Sequence, residues 1–100
     1  MIPFSDLKTQ FNNLNTQIHT RINKVLEHGQ FIMGPEVYEL EEQLAKFTGS
    51  QYCVTVASGT EALLISLMAI GTKPGDEIIT TPFTYISTAE VAVLIGAKPV

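Results

Sequence analysis

The sequence predicts an α/β fold, a parallel-rich sheet covered by helices. Three observations carry that expectation. From residue 52 the elements read β-α-β-α-β, the order of parallel strands joined by helical crossovers. Apolar residues in the first half recur at helical spacing. A glycine stands where each predicted helix ends, at Gly29, Gly49, Gly71 and Gly96.

The first helix is predicted from Leu7. Leu7, Phe11, Leu14, Ile18, Ile22 and Val25/Leu26 fall on one stripe, with Gln10, Asn13, Thr16 and Arg21 on the polar side. Such a helix could lie on a domain or on a partner subunit. Phe31, Ile32 and Met33 follow in a short loop between glycines, and three exposed apolar residues there imply that they meet another surface. Gly34-Pro35 turns the chain into a second helix, with proline at its first position. Glu36, Glu39, Glu41 and Glu42 load the N-terminal half of that helix, where the macrodipole favours acids, and are expected to form a solvated face. Val37, Leu40, Leu44 and Phe47 make its apolar side.

Tyr52–Ala57 reads as a strand, and Glu61–Ile70, apolar nearly all round, as a buried helix. Lys73–Asp76 is a turn and Glu77–Thr81 a second strand. Ser87-x-x-Glu90 has the form of a capping box for a helix ending near Ile95. Lys98–Val100 opens a third strand. The chain stops inside that element, which predicts a piece of a longer protein. The expected division is an N-terminal helical segment with its loop, residues 1–49, and the start of a larger α/β domain, residues 50–100.

Composition narrows the function. With six basic and ten acidic residues, net charge −4, and no basic patch, nothing supports nucleic-acid binding. Cys53 is alone, so neither a disulfide framework nor a zinc cluster is expected, and no metal site is. Alternating along a strand, it reads as a small core residue. No apolar stretch is long enough to span a bilayer and no signal peptide is visible, so a cytoplasmic protein without a membrane partner is expected. His19 falls between helix faces, and His28 sits in a last helical turn where a cation suits the dipole.

Ser58-Gly59-Thr60-Glu61 can be read in two ways. It is itself a capping box, in which Ser58 caps and Glu61 reaches back. The same geometry, at the end of a parallel strand, presents free N–H groups and a positive dipole end to a phosphate. Neither dinucleotide nor P-loop glycine patterns occur, which disfavours a plain nucleotide-binding domain. In "TTPFTYISTAE", Phe83 and Tyr85 either pack in the core or offer a ring to stack on a planar ligand, Phe83 being the better core candidate. "HGQFIMGPE" reads locally as a helix-turn-helix connection.

Taken together, "IPFSDLK", "HGQFIMGPEVYELEEQLAKFTG" and "VASGTEALLISLMAIGTKPGDEIITTPFTYISTAEVAVLIGAKPV" resemble the start of the sugar-nucleotide aminotransferases of the DegT/DnrJ/EryC1/StrS type. These are fold-type I enzymes that use pyridoxal 5′-phosphate (PLP). The resemblance spans almost the whole chain and is strongest to the branch that aminates UDP-linked 3-keto-hexuronic acids for bacterial surface polysaccharide such as lipopolysaccharide O-antigen. It implies that the backbone N–H groups of Gly59, Thr60 and Glu61 hold the PLP phosphate, with the Glu61 side chain turned away. It implies that Tyr85 stacks on the pyridine ring. Gly29 and Phe31 then belong to a loop of the sugar-nucleotide pocket, built across a homodimer interface, with glutamate as the amino donor. It also implies that the catalytic lysine lies beyond residue 100, so no catalytic residue is assigned here; Lys73 and Lys98 do not match it. A PLP-dependent deoxysugar dehydratase with histidine in place of that lysine, or a non-catalytic member of the fold, would begin in the same way.

Overall fold

Helical spacing and glycine stops become four helices in the computed structural model, which describes residues 4–100. Ile2 and Pro3 of the "IPFSDLK" motif lie outside the described residues. The chain forms two compact units, Met1–Cys53 and Val54–Val100.

In the first unit, α1 spans Leu7–His28. It begins where Asp6 accepts from the Thr9 N–H at 3.0 Å and from the Thr9 hydroxyl at 2.7 Å. These two bonds, the backbone one first, hold the Asp6 carboxyl below its ordinary value. It ends at Gly29, left-handed at φ 68°, whose N–H returns to the Val25 carbonyl. α2 spans Pro35–Thr48 and stops at Gly49, φ 71°. Its glutamates do not all face water, contrary to expectation. Glu39 takes Arg21 through two bonds of 2.5 and 2.7 Å, and Glu36 takes His28 and Lys24. The opposing helix presents three basic or imidazole groups at one-turn spacing, so the acids turn toward α1. Glu42 does stay on the surface, paired with Lys46 one turn on. The His19 Nδ1–H donates to the Asn15 carbonyl at 2.9 Å, and the ring meets Phe11 edge-on at 6.2 Å.

In the second unit, α3 spans Gly59–Ala69, β1 Glu77–Ile78, α4 Ser87–Leu94 and β2 Lys98–Pro99. The α/β class and the parallel pairing stand: β1 and β2 are parallel, with Glu77 opposite Lys98 and Ile78 opposite Pro99, and α4 crosses between them. A Thr80 N–H to Val100 bond extends the ladder. The core is small and sits where α4 meets its neighbours, at Ser87, Val91, Ala92 and Ala97. Two further features lock the turn before β1. The Asp76 carboxylate accepts from the Lys73 N–H, and a Cβ on Gly96 would lie 3.0 Å from Pro74.

Three expectations are corrected from residue 52 on. Tyr52–Ala57 forms no strand: among the described residues the one sheet pairs β1 with β2, and Tyr52 and Val54 stay exposed. α3 contains no buried residue: α4 is the element it chiefly packs on, and Leu63, Ile65 and Met68 stay exposed. Ser87 is not a cap. It is the first helical residue and is buried, while Ile86 holds the cap position and the Thr88 hydroxyl donates to the Tyr85 carbonyl.

Candidate functional site

Ser58 is extended, at φ −158° and ψ 164°, and turns the chain into α3. Its hydroxyl accepts from the Glu61 N–H at 3.1 Å, and the Glu61 carboxylate accepts from the Ala57 N–H at 3.1 Å. The capping box is therefore built, reaching one residue further back than the usual form. Glu61 is placed in two ways by this. Its carboxylate is turned back to the Ala57 N–H, and its N–H is committed to Ser58. Gly59 and Thr60 are left as the first-turn donors with no protein acceptor among the described residues. A Cβ built on Gly59 would meet nothing within 4 Å, so there is open space beside this backbone. Open, unpaired amides at the start of an 11-residue helix suit an anion such as a phosphate.

Tyr85 and Phe83 are both exposed, Phe83 almost completely at 97%, so the core placement expected for Phe83 does not hold in this chain. Tyr85 lines a groove of about 360 Å³ with Thr80, Thr84, Thr88 and Pro99, which Phe83 does not enter. Apolar walls rimmed by hydroxyls could take a planar ring with polar substituents. Ser58–Glu61 do not line that groove.

Gly29 and Phe31 come together in the first unit, lining a shallow depression of about 370 Å³ with Gln30 and Ile32. The Phe31 N–H donates to the Gly29 carbonyl at 3.2 Å. Phe31, Ile32 and Met33 all project into solvent. Sequence reasoning missed how this loop is held. His28 was expected to serve the helix dipole. Instead its Nδ1 accepts from the Gln30 N–H and its Nε2 meets Glu36, both at 3.0 Å. An imidazole eight residues before a glutamate, across a turn with glycine at both ends, was the available signal. The Glu36 carboxyl is held below its ordinary value by its own backbone N–H first, then by His28 and Lys24, against the opposing effect of burial.

Lys98 pairs with Glu77 at 3.0 Å across the sheet, a structural ion pair. Among the described residues no cluster of three His, Cys, Asp or Glu could hold a metal ion, and no helix is long and apolar enough to cross a membrane.

A model of the DegT/DnrJ/EryC1/StrS aminotransferase family matches residues 12–100. The chain belongs to this family. Over its full 100 residues it is 55% identical to the UDP-2-acetamido-2-deoxy-3-oxo-D-glucuronate aminotransferase of Pseudomonas aeruginosa, spanning 28% of that relative. It matches the crystal structure of a DegT/DnrJ/EryC1/StrS aminotransferase from Brucella abortus at a TM-score of 0.91 and 38% identity, over 100% of this chain and 27% of the other. NtdA from Bacillus subtilis, solved with bound cofactor PMP, aligns at 0.82 and 30% identity over 89% of this chain and 20% of its own. The chain thus spans about a quarter of the length of such family members and carries their N-terminal fold.

Proposed function

We propose that the protein to which this chain belongs is a PLP-dependent aminotransferase acting on a UDP-linked 3-keto-hexuronic acid, with glutamate as donor, in bacterial surface polysaccharide synthesis. The observation that carries this reading is the 55% identity, across every residue of the chain, to a relative named for that activity. The first turn of α3 supports it, because its open amides fit the phosphate of the cofactor seen in NtdA. On this reading the Gly59 and Thr60 N–H groups hold the phosphate. Glu61 contributes its N–H only if Ser58 releases it, and its carboxylate stays on Ala57, away from a like charge. Tyr85 covers one face of the pyridine ring from its threonine-rimmed groove. When bound, PLP supplies the electron sink and the carrier for the amino group. This chain's part is to orient it and to form one wall of the substrate site with Gly29 and Phe31.

The same reading assigns residues 1–49 to a helical segment whose loop reaches the active site of a homodimer, and residues 50–100 to the start of the cofactor domain. It places the enzyme in the cytoplasm, where nucleotide sugars are made. Full-length protein supplied with PLP, glutamate and UDP-2-acetamido-2-deoxy-3-oxo-glucuronate is expected to form 2-oxoglutarate and a 3-amino sugar in equal amounts. Formation of neither product by folded, PLP-loaded protein would reject the assignment.

A further inference from the structure

The loop from Gly29 to Gly34 carries three exposed apolar residues, yet its backbone is tightly determined. Gly29 is left-handed, Met33 is left-handed at φ 48°, and a Cβ on Gly34 would fall 2.3 Å from the Gln30 carbonyl oxygen. One side chain ties this loop to both helices. His28, the last residue of α1, accepts the Gln30 N–H at Nδ1 and faces the Glu36 carboxylate of α2 through Nε2. A backbone N–H can only donate and an ionised carboxylate can only accept. The imidazole must therefore be bare at Nδ1 and protonated at Nε2, the neutral form with its proton toward Glu36. His28 and Glu36 are only 23% and 21% exposed, so water competes weakly for either bond. Lys24 stands 3.5 Å from the other Glu36 oxygen, an ion pair too long to be a good hydrogen bond. That oxygen has no hydrogen-bond partner of its own.

We propose that His28 is a positioning residue, fixed in the Nε2–H tautomer, which holds the Gly29–Met33 loop in the shape that receives the nucleotide sugar. The inference rests on the reading of that loop as part of the substrate pocket. It gives an apolar loop that has no core to pack on a polar tie made by its backbone, leaving Phe31 and its neighbours free to face a ligand.

Two substitutions divide the tie. In His28→Asn the amide oxygen stands near the place of Nδ1 and can keep the Gln30 bond. In His28→Gln the amide nitrogen reaches the place of Nε2 and can keep Glu36, but the loop bond is lost. In the full-length enzyme, H28Q should raise KM for the nucleotide sugar about five-fold, the worth of one net hydrogen bond. Its kcat should be retained, and H28N should lie nearer wild type. Two readouts need no substrate. Imidazole nitrogen-15 spectra of the wild type should show Nδ1 bare and Nε2 protonated, and the Gln30 amide should exchange faster in H28Q than in H28N. A proton on Nδ1, or equal exchange in the two variants, overturns the clasp. A faster Gln30 amide in H28Q with unchanged KM overturns the loop's role toward substrate. If the wild type turns over no UDP-linked keto-sugar, it is the functional reading that falls, and the spectra and exchange still decide the clasp.

Discussion

The loop at Gly29–Gly34 and the turn at Ser58–Glu61 are both glycine-bearing entries to a helix, and they are built in opposite ways. At Gly34 there is no room. The Gln30 carbonyl occupies the space a side chain would need, no side chain caps α2, and the loop before it is tied by His28. At Gly59 there is nothing but room, and the cap of α3 is complete without using the first two amides. A glycine that is crowded serves the fold, whereas a glycine that is open, beside unpaired donors, is free to serve a ligand. The contrast predicts that substitutions at the two positions separate stability from cofactor binding.

The largest effect is expected at Gly34. Gly34→Ala in the full-length enzyme forces a contact with backbone rather than with a flexible side chain, so it should destabilise by about 3 kcal/mol. Denaturant unfolding measures it. A variant as stable as wild type would show that the loop rearranges freely, and the contrast would fail. At Gly59 the outcome should invert. A Cβ at Gly59 has nothing within 4 Å, so Gly59→Val should change stability by less than about 1 kcal/mol, while PLP retention weakens about ten-fold through loss of close backbone approach. Equal PLP affinity in the folded variant would remove the phosphate from this turn.

A smaller effect separates the two exposed aromatics of the second unit. Tyr85 lines the groove beside α4 and Phe83 does not. Tyr85→Ala should therefore loosen PLP by about five-fold, the worth of roughly 1 kcal/mol of ring stacking, and shift its absorbance, whereas Tyr85→Phe should be mild. Phe83→Ala should leave the cofactor spectrum alone. The reverse pattern would transfer the stacking role to Phe83.

How far these features were legible in the sequence follows from the range of the forces involved. Helices were legible because periodicity and glycine stops are local. Gly29, Gly49, Gly71 and Gly96 all adopt the positive φ that their placement implied. The β1–α4–β2 crossover was legible for the same reason, and the spaced motifs placed the chain in its family. Tyr52–Ala57 was misread because valine and threonine state a preference, while a strand exists only with a partner. The burial of α3 was misread because apolar composition says what a helix needs and not whether this stretch of chain supplies it. His28 was misread because its partner lies across a loop. Left-handed turns at Gly29 and Met33 bring Glu36 within reach; the flanking glycines hint at such a turn, but the pattern of a helix end does not name the partner.

The subtlest consequence of the crowded region is its response to acid. The Glu39 carboxyl is held below its ordinary value by hydrogen bonding to Arg21 first and by that cation's charge second, and Glu36 is held low as described. Each binds a proton less readily folded than unfolded, where the reference value is 4.5. Between the two values the unfolded chain binds more protons, so stability must rise with pH there. The contribution is fully present above about pH 4.5 and is lost as pH falls through the lower, folded values. The Arg21 guanidinium, its value raised chiefly by the same Glu39 bond, stays charged across this window. The double variant E36Q/E39Q keeps the shape of both side chains and removes their titration. Its stability deficit relative to wild type should be constant above the window and shrink as the solution is acidified through it. Because Arg21, Lys24 and Glu39 are substantially exposed, added salt should shrink the same deficit at neutral pH. A deficit that stayed unchanged on acidification would mean that the two acids hold α1 and α2 together by shape and not by charge.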